Sequence, residues 1–204
     1  MKKEEKNIKI RKIIDQIISH AVSLGVSDAE IMDTGEIPVD NKFPDFCKDP
    51  LCPGYNQSMS CPPHVQGPDW FRDHLKTFNY ALVFKFDVSS SVLLSEDRHD
   101  VTRLIHETAA SLERFARAKG LKHSCGFAAG SCKQLFCSEH SQCRVVSGRE
   151  KCRHPDLARP SMSGMGVDFL ELTKKLNWKI SMITKNTDEE EVPLGFMAGL
   201  VLLG

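Results

Sequence analysis

Apolar residues recur at Ile10, Ile13, Ile14, Ile17, Ile18, Ala21 and Val22, with Lys9, Arg11, Lys12, Asp15 and Gln16 between them. This spacing puts one apolar face on a helix over residues 7–24, within an amphipathic N-terminal segment 1–26, and Gly25 is suited to stop it. Short strands are expected at 29–32 and 37–39, around the turn Asp33-Thr34-Gly35. Residues 40–66 then lose periodicity. They carry five Pro and three Cys and form a first Cys loop, too long to be ordered by an ordinary core. Gly67-Pro68-Asp69 opens a helix whose inner face would be Trp70, Phe71, His74 and Leu75. A buried strand follows at 80–88. A long helix at 96–119 carries Val101, Leu104, Ile105, Thr108, Leu112, Phe115 and Ala116 on one stripe, and Gly120 ends it. A strand at 121–127 leads into a second irregular, Cys-rich loop, which ends at residue 160 and begins at 125 if Cys125 is counted with it. A short helix at 166–176 and strands at 178–183 and 192–203, joined by an acidic turn at 186–191, complete the chain. This order predicts an α+β fold, with helices packed on one small mixed sheet and two long Cys-rich loops, as a single domain over 1–204.

Composition narrows the function. The chain has 204 residues, 41% hydrophobic and 26% charged, which provides for a packed core and excludes global disorder. Lys+Arg and Asp+Glu are 27 each, so the net charge is zero and a nucleic-acid partner is not expected. No signal-peptide pattern and no apolar run of membrane-spanning length is seen, so no membrane association is expected. Eight Cys in a chain of this kind point to a cytoplasmic protein whose thiols bind metal or do redox chemistry, rather than to secreted disulfides.

The Cys positions form two sets. Cys47-x4-Cys52-x8-Cys61 is followed by Pro62-Pro63, and Cys132-x4-Cys137-x5-Cys143-x8-Cys152 lies in the second loop. Cys125 stands between them. If it joins Cys47, Cys52 and Cys61, the eight thiols divide into two sets of four; His64 is the competing fourth ligand, and an open position is the third possibility. Structural zinc favours paired short knuckles, and the wider gaps here fit them poorly. Iron–sulfur clusters of the 4Fe-4S type, one or two, accept wider spacing from four Cys thiolates, and a Pro after a ligating Cys, as at Pro53 and Pro62, occurs in ferredoxin-type runs. Zinc is the alternative. A small buried thiol is the plainest reading of any one Cys, most of all of Cys125.

These residues carry a resemblance. Cys47-Lys48-Asp49-Pro50-Leu51-Cys52-Pro53-Gly54-Tyr55, with Cys61-Pro62-Pro63, is similar to the first signature of a bacterial and archaeal family of predicted metal-binding proteins, domain of unknown function 2284. Ala129-Gly130-Ser131-Cys132, Cys137, Cys143 and Cys152-Arg153-His154-Pro155-Asp156, continuing to Arg159-Pro160-Ser161-Met162 and Gly164-Met165-Gly166-Val167-Asp168, resembles its second signature. The resemblance runs from about residue 20 to the end. It implies metal or iron–sulfur binding and no established reaction.

Around the thiols, His64, His123, His140 and His154 read as solvated neighbours before they read as ligands. Arg144, Arg149, Arg153 and Arg159 could offset the charge of a thiolate-bound centre or meet an acidic redox partner; a solvated basic face is the equal alternative. No phosphate loop, dinucleotide fingerprint or nucleophile elbow is present. The expected roles are therefore electron transfer or redox assistance with a partner protein, an enzyme with an open iron at the first site, or a zinc-stapled interaction module.

Overall fold

The computed structural model describes the backbone of residues 2–148, 151–181, 183–184 and 186–204, with side chains from residue 8 onward in those segments. Four strands form one sheet: β1 (Asp28–Asp33), β2 (Tyr80–Ser89), β3 (Cys125–Phe127) and β4 (Leu194–Leu203), in the order β1-β2-β4-β3. Every pairing is antiparallel, so the sheet is not mixed as expected. The α+β class, with helices on a small sheet, stands.

The central pair is β2 with β4, in register from Tyr80↔Leu203 to Ser89↔Leu194. Both strands are apolar nearly throughout because both sheet faces are covered. Alternate residues point to opposite faces. Leu82, Phe84, Phe86, Val201 and Leu203 meet Ile14, Ile17 and Ala21 of helix α1 (Lys2–Ser23) and Ile105, Ala109, Leu112 and Ala116 of helix α4 (Arg98–Ala118). Ala81, Val83, Ala198, Leu200 and Leu202 meet Phe71 and Leu75 of α2 (Gly67–Leu75), Leu172 of α6 (Phe169–Lys175), and Met162, Met165 and Val167 from the chain leaving the second loop. Gly199 is required in β4, since a Cβ there would strike the Phe84 ring. Two short helices add to the expected set: α3 (Ser90–Leu94), capped by Ser89, and α5 (Cys132–Phe136).

Two expected strands are absent among the described residues. Residues 34–36 form a 3-10 turn and Val39 makes only an isolated bridge to Val167, so 37–39 is not a strand. Residues 178–181 and 183–184 are irregular, and Met182 lies outside the described residues. β4 therefore pairs with β2 and β3, not in a hairpin with its predecessor. Trp178 is apolar there because it packs edge-on against Phe196, which imitates a strand pattern without pairing.

Candidate metal centre

The second Cys loop leaves the sheet at β3, turns through Gly130 at φ +70°, and places Cys132 at the start of α5. Leu135 buries itself, and Arg103 of α4 donates to the Leu135 carbonyl and lies over the Phe136 ring. From there the chain folds back, and Cys132, Cys137, Cys143 and Cys152 all line one small cavity with Phe136, Val145 and His154. Backbone N–H groups are aimed at the sulfurs. His154 N–H donates to Cys152 Sγ at 3.4 Å. Burial would push the Cys143 thiol up, but N–H groups of Val146, Met59 and Val145, together with Arg153, hold it below the ordinary thiol range. Cys132 and Cys137 are raised, first by burial; hydroxyls of Ser60 and Ser58 oppose the shift at Cys132, and Arg153 opposes it at Cys137.

The first loop brings Cys47, Cys52 and Cys61 together. Cys47 ends a 3-10 turn (Asp45–Cys47), and its carbonyl accepts from Cys52 N–H at 3.0 Å. Gly54 N–H donates to Cys52 Sγ at 3.4 Å. The Cys47 thiol is raised by burial and by its neighbours Cys52 and Cys61, against a hydrogen bond from Ser163. Cys61 donates to the Gly130 carbonyl at 3.7 Å. Gly54 is needed for this approach, because a Cβ would lie 2.8 Å from Ser131 Cβ and 3.6 Å from Cys61 Sγ.

Buried hydroxyls join the two sets. Ser58 Oγ lies 2.8 Å from Ser60 Oγ and 3.3 Å from Ser131 Oγ, and Cys132 N–H donates to Ser60 Oγ at 3.2 Å. The Cys132 thiol feels both Cys152 and Cys61, so it stands where the sets adjoin. Segment 159–167 closes the arrangement: Ser161 N–H donates to the Ser60 carbonyl, and Met162 N–H to the Ala128 carbonyl. Among the described residues, no three His, Cys, Asp or Glu side chains are close enough to hold one ion between them.

Cys125, expected with the first set, has other company. It lies at the start of β3, packed on the α2 side of the sheet, with its sulfur 3.4 Å from His74 Nε2. Burial pushes its thiol up to about 12; Glu113 adds to the shift, and Arg117 and Arg159 oppose it. His64, the competing ligand, hydrogen-bonds Asn56 Oδ1 at 2.7 Å. His123 and His140 are exposed, while His154 stacks obliquely beside Phe136 at the cavity. Of the arginines, Arg144 and Arg153 border the cavity, Arg159 is buried in an ion pair with Glu113, and Arg149 lies outside the described residues.

Sequence reading missed the serines and the α4 polar pair. His106 and Glu113 are both buried. They are seven residues apart, two helical turns on one face, and polar groups breaking an apolar stripe were the available signal. Ser58 and Ser60 flank Met59 inside a Cys loop, where nothing local separates them from solvated loop residues.

The chain belongs to the family of predicted metal-binding proteins, DUF2284, whose model matches residues 30–203. No curated protein and no solved structure matches it. No described helix is long and apolar enough to cross a membrane.

Proposed function

We propose that this metal-binding chain carries iron–sulfur chemistry, with Cys132, Cys137, Cys143 and Cys152 holding a 4Fe-4S cluster, and that it transfers electrons to or from a partner protein in the cytoplasm. The observation that carries the reading is the single small cavity lined by all four cysteines. Its donor set is sulfur, backbone N–H groups point at two of the sulfurs, and Arg153 acts on Cys137 and Cys143. Hydrogen bonds and positive charge of this kind stabilise thiolates and tune a cluster's potential. When bound, the cluster would supply one-electron redox chemistry. The residues would hold it, shield it with Phe136 and Val145, and set its charge balance through Arg153. Arg144 and Arg153 at the cavity rim favour an acidic surface on the partner.

Cys47, Cys52 and Cys61 form a second, adjacent site with three thiols. Cys125 remains beside His74 in this reading, so the fourth position of that site falls to a non-thiol ligand. The link through Ser58, Ser60 and Ser131 couples the two sites and supports electron passage between them.

Anaerobic purification followed by iron, sulfide and zinc analysis tests the reading. Iron with acid-labile sulfide, lost on substituting Cys143→Ser, is the expected result. Stoichiometric zinc without iron overturns it and leaves a zinc-stapled interaction module.

A further inference from the structure

A cavity of about 260 Å³ lies against the first thiol site. Its walls come from β4 (Phe196, Met197, Ala198), from Met162 and Phe169, and from Phe43 of the first Cys loop. Ser163 and Gly130 also line it. Both are bonded to the site: the Ser163 hydroxyl to the Cys47 thiol, and the Gly130 carbonyl to the Cys61 thiol. The cavity therefore stops one residue short of two of the three thiols, and it touches them through Ser163 and Gly130. Four of the lining residues, Ala128, Ala129, Gly130 and Ala198, are small and leave room beside the large ones.

Among the described residues, none of those lining the cavity is ionisable. A charged ligand would lose its hydration there without a partner, which costs several kcal/mol in an apolar setting. By proportion to a 150 Å³ cavity that takes benzene, the volume suits a molecule of roughly ten non-hydrogen atoms. Met162 and Met197 let the walls adapt in shape.

We propose that this cavity binds a small, uncharged, largely apolar organic molecule with one polar end, oriented toward Ser163 and the three-thiol site. The inference rests on a metal being held at Cys47, Cys52 and Cys61. The occupant then acts on the three-thiol site through the Ser163–Cys47 contact, and Phe43 ties the first Cys loop to the occupant. Ser163 Oγ orients the polar end, since among the described lining residues it is the side chain that carries a hydroxyl.

The test uses the metal-loaded full chain with three probes of matched length: 1-hexanol, hexanoate and hexylammonium. Binding is read by thermal shift, and the response of the metal site by its visible absorption. The expected result is saturable binding of 1-hexanol, with the two ions at least about tenfold weaker because of their desolvation. Bound 1-hexanol should perturb the metal absorption, and Ser163→Ala should remove that perturbation and weaken binding about three- to tenfold. Ala198→Leu should weaken binding at least about tenfold by filling the cavity. Phe169→Ala, which enlarges it, should shift preference from 1-hexanol toward 1-octanol. Equal binding of the ions overturns the proposal, as do hexanol binding that neither Ala198→Leu nor Phe169→Ala alters and binding that leaves the metal absorption unchanged. Zinc in place of iron would overturn the electron-transfer reading alone, because cobalt substituted for zinc supplies the same absorption readout.

Discussion

The Arg159 guanidinium meets the Glu113 carboxylate at 2.8 Å with both side chains buried, 8% and 7% exposed, and so pins the end of the second Cys loop to helix α4. Glu113 Oε2 also accepts from Gly126 N–H at 2.8 Å, and Oε1 pairs with Arg117 at 3.0 Å. Arg159 donates further to the carbonyls of Pro155 and Ala158. A buried pair is a poor source of net stability compared with apolar packing, but removing one partner strands a charge and costs about 3–5 kcal/mol. Arg159→Met should leave Glu113 with Arg117 and the Gly126 N–H, whereas Glu113→Ala strands Arg159 with carbonyls only. We expect Glu113→Ala to lower the melting temperature by on the order of 10 °C and Arg159→Met to lower it less. Calorimetry on the two variants checks the order, and a larger loss for Arg159→Met would contradict it.

His106 ties the same loop to α4 by a second contact. Its Nδ1 accepts from Arg159 N–H at 3.1 Å, which leaves the proton on Nε2, beside the Ala129 and Gly130 backbone. Burial is the main cause of a pKa lowered to about 4, from the ordinary 6.5. The unfolded chain therefore binds a proton more readily than the folded one between these values. Stability is complete above pH 6.5 and falls as pH drops toward 4, by about 2 kcal/mol between pH 7 and pH 5 from this group. Urea titrations at the two pH values should show this loss, and His106→Gln should be less pH-dependent by about that amount. Equal slopes in the two proteins would rule the assignment out.

The helices and the long strands were legible because their apolar positions follow one period each. Residues 80–88, broken only by Lys85 and Asp87, and residues 192–203 are apolar runs, and they supply the two central strands. The sheet's edges were less legible. Residues 37–39 have strand composition, yet Thr34 donates its hydroxyl to the Phe78 carbonyl and holds a turn where a strand could have continued. Trp178 and Ile183 are apolar because they cover Phe196 and Gly195, not because they pair. At the site, the grouping of Cys132, Cys137, Cys143 and Cys152 on one cavity follows from their density in a loop. The place of Cys125 could not follow from counting thiols, since His74 reaches it from α2, 51 residues earlier in the chain.

That pairing predicts how Cys125 behaves. A thiol held up to about 12 and packed beside Trp70-stacked His74 has almost no thiolate at neutral pH, and the thiolate is the form that binds metal or is alkylated. Cys125→Ala should keep the full metal content and cost about 1 kcal/mol of stability. Cys61→Ala should lose the first centre's metal. Metal-to-protein ratios of the two variants decide the point; loss of metal in Cys125→Ala would return that thiol to the first site.

Metal removal should act on the two loops before it acts on the sheet. Residues 40–66 and 132–157 bury few apolar side chains, Leu135 and Cys61 among them, so turns, hydroxyl contacts and the thiol sites supply most of their order. The helix Arg98–Ala118, by contrast, is fixed by Ile105, Ala109, Leu112 and Ala116 against β2 and β4. Stripping the thiols of metal leaves buried sulfurs without ligation and removes the binding free energy that folds the loops. Chelation should therefore raise trypsin cleavage after Lys133, Arg144 and Arg153 at least about tenfold, since local opening sets the rate. Lys122 is exposed in the turn before β3, outside both loops, and its cleavage should stay unchanged as an internal control. Mass spectrometry of the early fragments reads both at once, and equal resistance of the loop sites with and without metal would show that the loops hold their shape unaided.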